Sequence, residues 1–304
     1  MALHWPTFLT RAGSAVVFAA VMLVGLLWNE WAFLALIGLM QVLCLRDYFR
    51  LMEVIDKVRY ALPLKVGLYV LGLMLLTLIS IVWIGSSHTL NINDAVGWTN
   101  NPERGYALPN GWLWLVSVGN ALLISTFILV PFLLLLYAGL SNRSHLLHGL
   151  KAVAGFFYII VPACLLLLMR DMHWAWPLFL VLCIWTNDTM AYLVGSFIGR
   201  TPFSPISPKK TWEGTAGGAI LTVAGAALWA YFSERFLMRD VVAVALCAAI
   251  AGTAGDLLES KLKRLAGVKD SGTLMPGHGG ALDRFDSLLV ATPFAFCYLY
   301  LAHL

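Results

Sequence analysis

The feature that most constrains this chain is a succession of about nine apolar runs, each near bilayer-spanning length, separated by charged segments. A membrane-crossing helix needs about 20 mostly apolar residues, and its backbone groups must bond to one another because lipid offers no partners. The runs fall near 12–28, 31–45, 65–84, 112–138, 152–169, 174–198, 215–232, 241–260 and 287–303. Composition agrees. Charged residues make up 12% of the 304 positions, about half of the ~25% that coats a soluble domain. The expectation is an all-α integral membrane protein with about nine transmembrane helices. Its net charge of +4 is spread between apolar runs, with no basic arm, zinc-knuckle spacing or aromatic RNA-binding motif, which argues against a nucleic-acid partner. The five cysteines lie singly inside apolar runs and read as buried small residues.

Lys and Arg collect on the cytoplasmic side of membrane proteins. With the N-terminus and Arg11 in the cytoplasm, threading nine runs leaves only Arg104, Arg170, Arg235 and Arg239 outside, out of 20 Lys and Arg. A wrong count would mix the two sets. The chain therefore reads as a multi-pass protein with a cytoplasmic N-terminus, placed in the inner membrane if the cell is bacterial. The first apolar run is followed by Trp28-Asn29-Glu30-Trp31 rather than by a small-residue cleavage site, so no cleavable signal peptide is expected. Two regions follow. Residues 1–150 hold four runs, an interfacial segment at 46–64 and a solvated outer loop at 85–111, and residues 151–304 hold the other five. The 46–64 segment mixes charges with Tyr48, Phe49, Leu51, Met52, Ile55 and Val58, as a helix lying at the membrane surface does.

Charges inside membrane runs are expensive, so each marks a functional candidate. Asp188 lies in the sixth run, Glu213 opens the seventh, Asp256 and Glu259 lie near the end of the eighth, and Asp283 and Asp286 sit at the edge of the ninth. Asp188, Tyr192, Gly195 and Gly199 share one helical face. That polar patch serves either a site or only an interhelical hydrogen-bond cluster. Asp256, Glu259, Ser260 and Lys263 recur at i, i+3, i+4 and i+7 and form a second stripe.

The most informative stretch is SKLKRLAGVKDSGTLMPGHGGALDRFDS, 260–287. Its Lys261, Lys263, Arg264, Lys269 and Arg284 suit several phosphate charges, and Gly277, Gly279 and Gly280 around His278 let backbone N–H groups approach an anion. Asp283 and Asp286 place carboxylates beside that anion site. Mg²⁺ usually binds one or two carboxylates together with substrate phosphates. A second basic element, Ser207-Pro208-Lys209-Lys210-Thr211-Trp212-Glu213-Gly214, leads into the seventh run. Either basic loop alone could be a topological flank. A flank, however, has no use for GHGG followed by DRFD.

These residues resemble the signature of CDP-diacylglycerol synthases, the phosphatidate cytidylyltransferases. GDLLES at 255–260, SPKKTWEG at 207–214 and the W-x-x-D-x-x-A-Y-x-x-G pattern at 185–195 fit the same family. The resemblance is dense over 180–304 and weak over 1–150. It implies transfer of a cytidylyl group from CTP to phosphatidic acid at the cytoplasmic face, with a bilayer around the protein and a homodimer as an expected assembly. Carried onto matching positions, Asp256, Asp283 and Asp286 would hold Mg²⁺, with a second cation as a further option. Lys209, Lys210, Lys263, Arg264, Lys269 and Arg284 would bind phosphates. Ser207, His278, Gly279 and Gly280 would line the nucleotide site, with Asp188 and Glu213 as further site residues. The chain departs from the family at Gly199–Pro205, which lacks two cations, and at Thr186-Asn187.

Other readings remain at this point: another lipid phosphate as acceptor, a silent lipid-binding relative, or a transporter using Asp188, Asp256 and Glu259. A transporter predicts polar groups continuing to the outer face, and the outer halves of these runs are almost entirely apolar.

Overall fold

A computed structural model describes residues 5–95, 143–233, 235–274 and 279–303. Asn29 ends the first apolar run and starts the next helix, its side chain accepting the Ala32 N–H at 2.7 Å, an N-cap satisfying one donor that the helix end leaves over. Helix α1 is Trp5–Leu27 and α2 is Glu30–Asp56. No Gly or Pro lies between 40 and 56, so α2 runs unbroken through 46–56. Half of the segment expected at the membrane surface thus continues the second apolar run. The helix stops where Lys57 takes a left-handed conformation (φ 55°).

The chain divides into two compact units, residues 1–61 with 157–304, and residues 62–156. This cut differs from the sequence division at 150, because α1 and α2 pack with helices that follow residue 157. The second unit contains α3 (Leu62–Ala95) and α4 (Arg143–Gly155). A π turn at Phe156–Ile160 starts on the last residue of the second unit, and the first unit continues with α5 (Val161–Met172) and α6 (Ala175–Ile198). Helices α7 (Trp212–Ser233), α8 (Met238–Leu265) and α9 (Leu282–Ala302) complete it.

Among the described residues, seven helical stretches are long and apolar enough to cross a membrane: Glu30–Asp56, Leu62–Ser80, His148–Met172, Ala175–Ile198, Trp212–Ser233, Met238–Leu265 and Leu282–Ala302. The run at 12–28 falls in α1, whose apolar part, Gly13–Leu27, is shorter. The run at 112–138 and most of the 85–111 loop lie outside the described residues.

One element departs from the all-helical expectation. Residues Pro202–Ser204 (β1) and Ser207–Thr211 (β2) form an antiparallel hairpin, with Ser204 opposite Ser207 and Pro202 opposite Thr211. Pro202, Pro205 and Pro208 deny this stretch the N–H groups a helix needs. Packing of the Phe203 ring on Trp212, 4.4 Å between centroids, joins the hairpin to the start of α7.

Helix α9 packs along α8 and also touches α2, α5 and α6, so it is the axis of this unit. Helices α6 and α7 lie against each other through small residues, as helices in lipid do where backbones approach closely. A Cβ on Gly218 would stand 2.8 Å from the Ala191 Cβ, and one on Gly214 would stand 2.7 Å from the Ala191 carbonyl oxygen. Gly255 does the same for α8 and α9, since a Cβ there would run into the Asp286 carbonyl.

Away from the hairpin, Asp240 at the start of α8 accepts from Tyr298 Oη at 3.1 Å and lies 2.9 Å from His303 Nε2, tying that end of α8 to the end of α9. Arg170 was expected in an outer loop. It is 8% exposed, donates to the Leu26 carbonyl at 2.7 Å and stacks over the Phe33 ring at 4.6 Å. A cation at the last carbonyls of α1 is favourably placed against the helix dipole.

Candidate active site

Where α6, α7, α8 and α9 meet the hairpin, they enclose a cavity of about 520 Å³. Asp188 enters it from α6, Asp256 from α8, and Asp283, Arg284 and Asp286 from the first turns of α9. Ser207, Lys209 and Lys210 enter from β2. The lining also has an apolar part, Phe18 and Met22 of α1 with Val181, Ile184 and Trp185 of α6. Phe18 packs between Trp185 (6.4 Å) and Phe285 (5.7 Å), which ties the apolar part to the helix that carries the carboxylates. The cavity thus combines charged and apolar lining.

The charged lining is assembled by close backbone approach. The absence of a side chain at Gly255 lets α8 reach the α9 backbone at Asp286, so Asp256 and Asp286 line the same space. Asp256 forms an ion pair with Lys210 of the hairpin. Asp286 is 6% exposed and accepts the Ser287 N–H at 2.6 Å. Beside them lies a buried triad in which the Lys263 ammonium sits between Glu259 (2.6 Å) and Asp283 (2.7 Å).

Asp283 is the most heavily engaged carboxylate of the site. Its Oδ2 accepts Ser271 N at 2.9 Å, Ser271 Oγ at 2.8 Å and Gly280 N at 2.7 Å, while its Oδ1 takes Lys263. Sequence reasoning gave the Gly279 and Gly280 backbone to an incoming anion. The Gly280 N–H is instead directed at Asp283, the protein's own anion. Gly279 is needed for another reason, its φ of +79° and the 2.6 Å at which a Cβ would meet Asp283 Oδ2.

The other expected residues divide. Ser207, Lys209, Lys210, Arg284, Asp188 and Asp256 are brought together at the cavity. Arg264 and Lys269 are exposed and outside its lining. His278 lies outside the described residues.

Glu213 does not line the cavity. Its carboxylate accepts Arg200 N at 3.2 Å, Thr201 N at 3.1 Å and Thr201 Oγ1 at 2.8 Å, closing the base of the hairpin. Glu213→Ala is therefore expected to raise KM for the ligand held by Lys209 and Lys210, with kcat less affected. The loss falls on the support of Lys209 and Lys210, which the hairpin carries to the cavity. Steady-state kinetics over a concentration series of that ligand measures the split.

Sequence reasoning missed Asp47, Ser271, Phe18 and Met22. Asp47 is 1% exposed and accepts backbone N–H groups at the start of α9. A carboxylate so close to an apolar run is itself a signal, but ending that run at residue 45 hid it in a charged border.

Among the described residues, no three His, Cys, Asp or Glu side chains gather into a ready metal cage. The donor set suits a different arrangement. Asp188, Asp256 and Asp286 present hard oxygens to one cavity that also holds cationic side chains, and Mg²⁺ typically completes such a shell with water and substrate phosphates.

A helical protein with stretches long and apolar enough to cross a membrane gathers cationic and anionic side chains in one cavity, and the chain belongs to the Cytidylyltransferase family, which it matches over residues 9–302. It is 34% identical over 240 residues to the phosphatidate cytidylyltransferase of Brucella abortus biovar 1 (strain 9-941), covering 72% of this chain and 86% of that protein. The enzyme of the same name from Synechocystis sp. (strain ATCC 27184 / PCC 6803 / Kazusa) is 46% identical over 123 residues, 39% of this chain and 41% of the relative. The Haemophilus influenzae (strain ATCC 51907 / DSM 11121 / KW20 / Rd) enzyme is 40% identical over 129 residues, 40% and 44% of the two chains.

Proposed function

We propose that this protein transfers the cytidylyl group of CTP to phosphatidic acid, forming CDP-diacylglycerol and pyrophosphate. The observation that carries the reading is the mixed lining of one cavity: Lys209, Lys210 and Arg284 share it with Asp188, Asp256 and Asp286 and with the apolar Phe18, Met22, Val181 and Ile184. A nucleotide polyphosphate suits the charged lining and a diacylglycerol the apolar lining.

In the reaction a phosphate oxygen of the lipid attacks the α-phosphorus of CTP. A new P–O bond forms there, the α–β anhydride bond breaks, and pyrophosphate leaves with the electron pair. The attacking phosphate is already ionised near neutral pH, so the chain has no need of a strong general base. The barrier is repulsion between two anions. Lys209, Lys210 and Arg284 lower it by holding the phosphates in line, and Lys210 exchanges its partner Asp256 for a phosphate oxygen. Asp256 and Asp286, with Asp283 beside them, would hold Mg²⁺ jointly with those phosphates. When bound, the ion neutralises charge that develops on the leaving pyrophosphate. Phe18, Met22 and Ile184 seat the acyl end and keep water from the lipid side.

The cavity is placed at the cytoplasmic face of a nine-span protein with its N-terminus inside. Support comes from Lys209, Lys210, Lys261, Lys263, Arg264, Lys269 and Arg284, all of which fall in the hairpin, at the adjoining ends of α8 and α9, or in the loop between those two helices.

The test uses purified protein in detergent–lipid micelles with Mg²⁺, phosphatidic acid and CTP labelled at the α-phosphate. Label is expected in the lipid phase with the parent protein and is expected to fall about 10²-fold or more with Asp256→Asn. Label entering a different lipid phosphate but not phosphatidic acid would change the acceptor. No transfer to any lipid phosphate, with an active relative as control, would overturn the reading.

A further inference from the structure

Helix α9 carries Asp283, Arg284 and Asp286, yet its own N-cap residue is Ala281, which has no side chain able to cap it. A helix start leaves several N–H groups without partners, and such a start is costly when buried. Here consecutive amides are shared by two carboxylates. Gly280 N donates to Asp283 at 2.7 Å, and Ala281 N donates to Asp47 Oδ2 at 2.6 Å, with Leu282 N 3.4 Å from the same oxygen. The second carboxylate comes from α2.

We propose that Asp47 is a positioning residue for the cytidylyl transfer, holding the turn before α9 so that Asp283, Arg284 and Asp286 meet the cavity in register. The inference rests on the function proposed above. Three observations support it. Asp47 is 1% exposed and its Oδ1 is satisfied by Arg46 Nε (3.1 Å) and Nη2 (3.0 Å), so the carboxylate is fixed from both sides. The pocket around it has glycine walls. A Cβ on Gly272 would stand 2.6 Å from Asp47 Oδ1, and one on Gly280 would run into Oδ2. Finally, Asp47 does not line the cavity, so it acts through the turn and not on substrate.

A carboxylate is the right group for this place. A negative charge at a helix N-terminus is favoured by the helix dipole as well as by the N–H groups. Asp283 and Asp286 are three residues apart on one face of α9. A shift or rotation of the first turn would therefore displace both at once, and a misplacement of about 1 Å costs ~10²-fold in rate.

The experiment compares Asp47→Ala and Asp47→Asn in the labelled-CTP assay, with amide hydrogen exchange measured over 279–286 in the same micelles. Asn keeps one acceptor oxygen for the Ala281 N–H but lacks the charge and turns a donor toward Arg46, so its rate is expected to fall between those of the parent and Ala. Ala is expected to lose ~10- to 100-fold in kcat with KM for CTP within about threefold, and to lose protection at Ala281 and Leu282. Parent-like exchange and kcat in Asp47→Ala would overturn the proposal, as would equal loss in both variants. If the parent transfers no label at all, the proposed reaction fails. Exchange at Ala281 and Leu282 then still reports whether Asp47 holds the turn, so the two failures are told apart.

Discussion

Asp286→Asn is expected to lower kcat for cytidylyl transfer by about 10²- to 10³-fold while the protein remains folded. The side chain is 6% exposed and faces the cavity that Asp256 and Asp188 share. Asn has the same shape and can still accept the Ser287 N–H on its remaining oxygen, so the substitution removes charge and little else. Loss of one hard ligand should also raise the Mg²⁺ concentration needed for half-maximal rate. The measurement is a kcat and Mg²⁺ titration of parent and variant side by side. A kcat within threefold of the parent would remove Asp286 from the charge-handling end of the site.

The second large effect is on stability. Lys263→Met is expected to destabilise the protein by about 3–5 kcal/mol, because it leaves Glu259 and Asp283 facing each other without the cation between them. Glu259 is fully buried, and Asp283 is 8% exposed at its side chain. Removing one member of a buried charged set costs more than removing the set. The triple variant Lys263→Met, Glu259→Gln, Asp283→Asn should therefore recover part of the loss. Thermal unfolding in detergent, followed by helical signal, reads both. If the single variant unfolds at the parent temperature, the triad does not contribute to stability.

The parts of this architecture legible in the sequence were those set by local spacing. Apolar length marked the helices, and the i, i+3, i+4, i+7 pattern put Asp256, Glu259 and Lys263 on one stripe, where Lys263 does reach Glu259. The basic pair Lys209-Lys210 and the DRFD stretch were visible as charge beside apolar runs, and the fold brings both to one cavity. What stayed hidden depends on pairing between distant segments. Nothing near residue 47 reveals that its carboxylate caps a helix 234 positions away. The hairpin was hidden because two short strands produce no periodic signal, although their prolines exclude a helix. Glu213 looked like a site acid because sequence shows a charge at a helix start and cannot show which way it turns. The backbone amide of Gly280 was assigned to a ligand for the same reason, since the competing acceptor, Asp283, folds back onto it.

The cap on α9 also bears on how the protein is made. Asp47 emerges from the ribosome more than two hundred residues before the amides it will hold. Contacts of such separation close late, after the intervening helices have entered the membrane. Until α9 docks, the Ala281 amide has no acceptor at Asp47, and Asp256 has no neighbour across Gly255. A nascent chain without α9 carries Asp188, Lys209, Lys210 and Asp256 but lacks Asp283, Arg284 and Asp286. The full set of cavity side chains is therefore assembled only when the last helix takes its place.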